Sequence, residues 1–185
     1  MPQNPNGVGL TFEVSLQHVK PSVLREVEVP ITATFLDFHQ ALQAAMGWTD
    51  SHLFEFSRNG VTVVSPHDDV LPSPTVWMAD QHTLTEWKLQ PGDAFVYVYD
   101  FGDNWVHELR VTGTALNLSR PRLIGGTGAC PPEDVGGPPG YQHFLESIAD
   151  PKHPEHKDYK TWSRGRFIAQ FDREAQDQRL AKLFS

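Results

Sequence analysis

The feature that most constrains this chain is a pair of alternating runs, Ala94–Tyr99 and residues 105–112, separated only by Asp100-Phe101-Gly102-Asp103-Asn104. Aromatic and β-branched residues at every second position suit a strand with one buried face. The five intervening residues are small, polar or turn-forming, so the two runs read as a hairpin. Alternation places Phe95, Tyr97 and Tyr99 on one face and adds Trp105, His107, Leu109 and Val111 to it. A sheet face this aromatic must be covered, and His107 is expected to point inward.

The rest of the chain supplies partners for that hairpin. Residues 10–19 and 23–29 alternate on either side of Pro21-Ser22 and read as an antiparallel pair. Residues 52–58 and 61–64 flank Asn59-Gly60, whose ease with positive φ suits a tight hairpin turn. Thr34 is placed to cap a helix in which Phe35, Phe38, Leu42, Ala45 and Met46 recur at helical spacing, and Gly47 is placed to end it. Trp48 is expected to fold back on that helix end. Residues 65–74 read as a surface loop and residues 84–89 as a short helical turn. Helices are expected around Tyr141, Phe144, Leu145 and Ile148, over residues 154–162, and over Arg173–Leu183. Residues 1–9 read as a flexible leader, and residues 120–140, rich in Gly and Pro, as one long loop. The expected fold is therefore α+β: a mostly antiparallel mixed sheet of about five strands, helices packed on one face, and a helical C-terminal region.

Size and charge narrow the function classes. A chain of 185 residues with 39% hydrophobic residues and no internal linker fits one packed core over residues 1–185. Fifteen Lys and Arg against 23 Asp and Glu give a net charge of -8, which repels polyanions unless a local basic patch exists. Lys152, Lys157, Lys160, Arg164 and Arg166 come nearest to one, but His153, Glu155 and Asp158 interrupt them, and a nucleic-acid partner is not expected. Cys130 is the only cysteine, so neither an internal disulfide nor a multi-thiolate metal site is possible within one chain. The leader lacks the basic and apolar segments of a secretory signal, and no apolar run is long enough to span a bilayer. These features together suggest a cytoplasmic protein with no membrane partner.

Several strings together resemble the Ri-plasmid ORF-3-like family, whose members are often labelled insertion-element passenger or TnpR proteins. Residues 38–48, His52-Leu53-Phe54-Glu55-Phe56, residues 99–107, residues 130–137 with Gly140-Tyr141, and residues 150–156 are similar to family segments in the family's order. Leu24 is one departure, standing where the family usually carries tryptophan. The resemblance implies an α+β sheet-and-helix fold and leaves activity open. The resolvase label fails a chemical test: serine recombinases surround a nucleophilic serine with arginines, and neither Ser15 nor Ser22 has such a setting.

The polar groups of the two family-like strings are the candidate site. Asp100, Asp103, Trp105, Glu133, Asp134 and Tyr141 combine carboxylates with aromatics, as a specific recognition surface does. The expectation is a non-catalytic accessory or binding module for a small molecule or a protein, with no cofactor and no metal. A metal-dependent hydrolase is the alternative, with Asp100, Asp103, His107 and Glu133 holding an ion that activates water. A protein-protein adaptor is a second alternative. Against the metal, Asp100 and Asp103 suit backbone capping within their own turn, and His107 suits the core. Pairing Cys130 with His107 or His143 as a nucleophile is weaker still, because Pro131-Pro132 suggests a structural corner. The glycines at 125–128 and 136–137 lack the Lys-Ser or Lys-Thr of a phosphate loop, and Asp100-Phe101-Gly102 lacks the rest of a kinase.

Overall fold

In the computed structural model, which describes residues 7–164, 167 and 169–185, the hairpin expected at the centre is there and organises one eight-stranded sheet. The strands are β1 (Gly9–Leu16), β2 (Val23–Pro30), β3 (Phe54–Arg58), β4 (Val61–Val64), β5 (Val76–Met78), β6 (Ala94–Tyr99), β7 (Trp105–Ala115) and β8 (Arg122–Thr127). Their spatial order is β5-β4-β3-β6-β7-β1-β2-β8, antiparallel throughout except for the β4–β5 pair. The helices are α1 (Phe35–Met46), α2 (Gly137–Ala149), α3 (His156–Trp162) and α4 (Arg173–Leu183).

Three expectations need correction. The sheet has eight strands rather than about five: each of the six alternating runs forms a strand, and β5, a short strand, and β8, inside the segment read as a loop, add two more. Residues 120–140 are accordingly not one long loop: β8 occupies one end and α2 already begins at Gly137. Pro138 and Pro139 occupy the first turn of α2, where a missing N–H costs nothing. Of the leader at 1–9, residues 1–6 lie outside the described residues, and Gly9 already belongs to β1. Arg166 of the basic patch also lies outside them.

One face of the sheet is buried and the other is open, as half-covered antiparallel sheets are. On β7, Trp105, His107, Leu109 and Val111 are buried while Glu108, Arg110 and Thr112 are exposed. Phe38 of α1 lies on the buried face, 4.7 Å from the ring of Phe12 and stacked on Phe56 at 5.5 Å. Trp87, in the short 3-10 turn Leu84–Trp87, packs on Phe35 and Phe95. Thr34 caps α1 through a reciprocal box with Asp37, and Gly47 ends it at φ 106°. α4 lies against α1 and β8, with Leu180 buried on Ala41 and Ala44.

Arg25 of β2 is fully buried on the covered face, where alternation alone calls for an apolar residue. It stays there by donating to the carbonyls of Leu24, Ala45, Thr127 and Gly128 and by stacking under Phe171 at 4.3 Å. Gly126 makes this approach possible, because a Cβ there would stand 2.8 Å from the Phe171 ring and 2.7 Å from the Leu24 carbonyl. These contacts fasten β8 beside β2 and build one wall of the site below.

Candidate functional site

The C-terminal end of β6, the turn into β7, the segment after α1 and residues 130–136 converge at one end of the sheet. Trp48 folds back on α1 as expected, its backbone N–H reaching the Gln43 carbonyl. Its indole Nε1 then donates to the Pro131 carbonyl at 2.9 Å, which ties the 130–136 segment to the helix end. Glu133 makes a second tie. Its carboxylate accepts from the Thr49 N–H at 2.9 Å, from the Thr49 hydroxyl and from the Tyr99 hydroxyl at 3.0 Å. Burial, with the neighbouring Glu133 charge, raises the Tyr99 phenol well above its ordinary value, so it remains a donor.

The turn between β6 and β7 supplies the third tie. Asp100 is buried, and its Oδ1 accepts from the N–H groups of Gly102 and Asp103 at 2.9 and 3.3 Å. That is the expected capping of its own turn. Asp103 does otherwise: its carboxylate crosses to accept from the Gly136 N–H at 3.1 Å, just before α2. The glycine pair at 136–137 thus offers its backbone donor to an anion supplied by the chain itself. Gly137 sits at φ 68°, and a Cβ there would come within 2.6 Å of the Asp103 carbonyl, so the two segments touch through their backbones.

His52 completes the seam from the β3 side. Its Nε2 lies 3.1 Å from Asp134 Oδ1 and 3.6 Å from Asp100 Oδ2. In the sequence His52 stands at the start of the 52–58 run and in a family-like string but not among the candidate site residues; no local spacing links it to Asp100 or Asp134, because the sheet brings them together. Thr49, Tyr99 and Arg179 escaped for the same reason. The guanidinium of Arg179 donates to the Trp48 carbonyl at 2.8 Å. Beside the seam lies a cleft of about 560 Å³ whose walls include Arg25, Trp48, Cys130, Glu133, Asp134 and Arg179.

The six candidate surface residues therefore divide. Asp100, Asp103, Glu133 and Asp134 meet at the seam. Trp105 and Tyr141 do not present a surface: they are 0% and 1% exposed, and the Tyr141 hydroxyl is used on the Ala129 carbonyl. Trp105 packs near Trp48 instead, with ring centroids 6.0 Å apart. The ligand set Asp100, Asp103, His107 and Glu133 is also corrected, since among the described residues these four do not form a group able to hold one ion. His107 is sealed beside Tyr97 and Trp48, and burial pushes its pKa down to about 4. Its Nε2 and the indole Nε1 of Trp105 have no hydrogen-bond partner among the described residues. Cys130 is no better placed as a nucleophile, because burial raises its thiol far above the range where a thiolate forms, although the residue keeps partial exposure.

A second polar network lies deeper and is structural. His39, fully buried on α1, stacks on Phe54 at 3.6 Å. Its ring nitrogens contact the Tyr97 hydroxyl and Asp50 Oδ1, each at 2.8 Å. Burial lowers the His39 pKa, and the hydrogen bond to His39 lowers that of Asp50, so a neutral ring donates to an ionised carboxylate.

Comparison with known proteins matches this architecture as a whole. The family model described as "Plasmid pRiA4b ORF-3-like protein" matches residues 9–179. An "Uncharacterized protein y4hQ" of Sinorhizobium fredii (strain NBRC 101917 / NGR234) is 42% identical over 153 residues, 82% of this chain and 78% of that relative. The crystal structure of the "Protein of Unknown Function MM3350 from Methanosarcina mazei Go1" superposes with a TM-score of 0.79 at 28% identity, covering 90% of this chain and 96% of that one. No helix among the described residues is long and apolar enough to cross a membrane. The hairpin with its Asp100–Asn104 turn, the Cys130–Gly137 string and the sheet that joins them thus lie within the matched span, and the chain belongs to the plasmid pRiA4b ORF-3-like family.

Proposed function

We propose that this protein is a cytoplasmic, non-catalytic accessory module of its plasmid-borne family, and that its recognition surface is the seam formed by Asp100, Asp103, Glu133 and Asp134 with the adjoining cleft. The observation that carries the reading is the double clasp on residues 130–136. Glu133 holds Thr49 and Tyr99 while Trp48 holds Pro131, so the cleft walls are fixed to one another before any ligand arrives. A preformed concavity of about 560 Å³ with mixed polar and apolar walls has the size of a small-molecule site. The side chains favour binding over turnover: the Cys130 thiol stays protonated, and His107 is sealed in the core. With a net charge of -8, a small molecule or a protein is a better partner than nucleic acid.

Thermal unfolding in the presence of a metabolite panel, nucleotides and short DNA duplexes tests this reading, because a ligand that binds only the native state raises the midpoint. A metabolite that raises the midpoint in the wild type and not in Glu133→Ala or Asp103→Ala supports the site. An equal shift in both variants would place recognition elsewhere on the molecule. A response to DNA alone would overturn the partner class.

A further inference from the structure

We infer that His52, Asp100 and Asp134 form a binding site for a divalent first-row metal ion at the rim of the cleft. The inference deepens the reading of the seam as a recognition surface and rests on it for what the ion would face. Three separate segments bring one imidazole nitrogen and two carboxylate oxygens within 4.8 Å of one another. They come from the entry to β3, the β6–β7 turn and the 130–136 segment, so no local turn geometry requires their meeting.

Asp100 is the decisive member. Its carboxylate is buried, and Oδ1 is oriented by two backbone N–H donors. Oδ2 accepts no hydrogen bond among the described residues and is aimed at His52, 3.6 Å away. That separation is too long for a hydrogen bond. It is slightly wider than two ligands on one ion, since atoms each about 2.1 Å from a shared metal stand about 3.0 Å apart at a right angle and about 3.4 Å apart at the tetrahedral angle, so a bound ion would draw the two atoms together by a few tenths of an ångström. His52 Nε2 is hydrogen-bonded to Asp134 Oδ1 at 3.1 Å, a separation within that range, and an ion would take the place of the shared proton. The two N–H groups on Asp100 Oδ1 act as outer-shell donors do, fixing the carboxylate so that its other oxygen points at the ion. An imidazole with two carboxylates selects borderline and hard divalent ions such as manganese, cobalt and zinc over soft ones. Three protein ligands leave coordination positions open, and since Asp134 also lines the cleft, an oxygen donor there has access to them.

His143, His153 and Glu155 form the other possible group among the described residues, and it is less suited. His143 Nε2 hydrogen-bonds Glu155 at 2.7 Å, a tighter pair than His52 and Asp134 at 3.1 Å, and His153 Nδ1 already accepts from the Glu155 N–H. The group's one carboxylate, Glu155, is exposed, whereas Asp100 is a buried residue.

Isothermal titration of the full, chelator-stripped chain with manganese, cobalt and zinc chlorides tests the inference, with circular dichroism to check folding of each variant. The expected result is one saturable equivalent in the wild type and in His143→Ala, with affinity reduced more than about tenfold in His52→Ala and in Asp134→Asn. Asp134 is exposed at the surface, so its variant keeps the test decisive even where His52→Ala is poorly folded. Absence of saturable binding in the wild type overturns the inference, as does binding that ignores both seam variants or disappears in His143→Ala. The metabolite screen, run on the metal-stripped chain, separates the two ideas. A metabolite response without metal binding sinks the ion alone, whereas metal binding without any response removes support from the small-molecule reading.

Discussion

The two ends of the buried sheet face handle histidine in opposite ways. Under α1, His39 and His107 are enclosed by aromatic rings, and burial lowers the pKa of both, so each is a neutral packing element. At the seam, His52 stands between two carboxylates with its side chain 30% exposed. The residue type is the same, and the sequence spacing says little, since His52 and His107 each lie beside aromatic residues in a strand or at its start. What differs is the number of apolar side chains that the sheet and α1 deliver around each ring. A histidine keeps partial exposure here where the covering helix ends and chain segments carrying carboxylates take over.

The largest expected effect lies in the interior. Phe38→Ala removes a ring that touches Phe12, Phe56 and Phe95 in a fully buried setting, and should cost about 3–5 kcal/mol, read as a fall in urea midpoint at unchanged slope. A loss below about 1 kcal/mol would mean that the aromatic cluster is loosely packed. Next comes pH. The buried His107 ring holds its proton only below about pH 4, whereas an unfolded histidine does so below about 6.5. As pH falls, the unfolded state is therefore protonated first. The stability due to the neutral ring is complete above pH 6.5 and is lost between 6.5 and about 4, by about 3 kcal/mol in all. His39 acts in the same direction, while Asp50 and Glu86, whose pKa values are lowered, lose their contribution only at more acidic pH. His107→Gln should flatten the limb between pH 6.5 and 4; an unchanged slope would reassign it to His39.

The interior was readable in sequence because its signals are local. Period-two alternation marked β6 and β7 and put His107 inward; helical spacing, Thr34 and Gly47 marked α1. β8 was hidden because Gly125 and Gly126, poor strand formers, are there to let β8 approach Glu26, Arg25 and Phe171. β5 was hidden by brevity. The seam was half legible: the carboxylates stood out as uncommon polar groups in two turn-rich strings. Their partners did not, since Asp100, Asp134 and His52 meet only through the β3–β6 pairing and the clasp of Glu133 on Tyr99. For Trp105 the alternation of β7, which points it to the covered face, outweighs its place in a family-like string, whereas Tyr141 follows a turn-rich string in which an aromatic looks the same whether it faces a ligand or the core.

Between the two regions stands Gly137, where backbone geometry holds the seam together. Gly137→Ala puts a Cβ against the Asp103 carbonyl at a positive φ and should destabilise by about 2 kcal/mol. The strain is relieved by moving the 130–136 segment away from the β6–β7 turn. Amide exchange should therefore rise at Gly136, which donates to Asp103, and stay unchanged in β1 and β7. A uniform rise across the sheet would show that the seam is part of the same cooperative unit as the core.

The smallest effect on stability belongs to Asp134→Asn, and its smallness is informative. The Asp134 side chain is 66% exposed, and its contact with His52 is a surface pair of the kind worth about 0–1 kcal/mol. If Asp134 were there to hold the fold, Glu133 would leave it little to do, since three hydrogen-bond donors already fasten that carboxylate beside it. Asp134 sits at φ 59°, a left-handed conformation that Asp tolerates better than most side chains and that Asp50 and Asp100 also adopt. A melting midpoint within a degree or two of wild type would separate the role of Asp134 from folding and leave recognition at the seam to explain why a carboxylate is held there. A drop as large as that for Gly137→Ala would instead make Asp134 a third clasp and extend the structural logic of the interior to the rim.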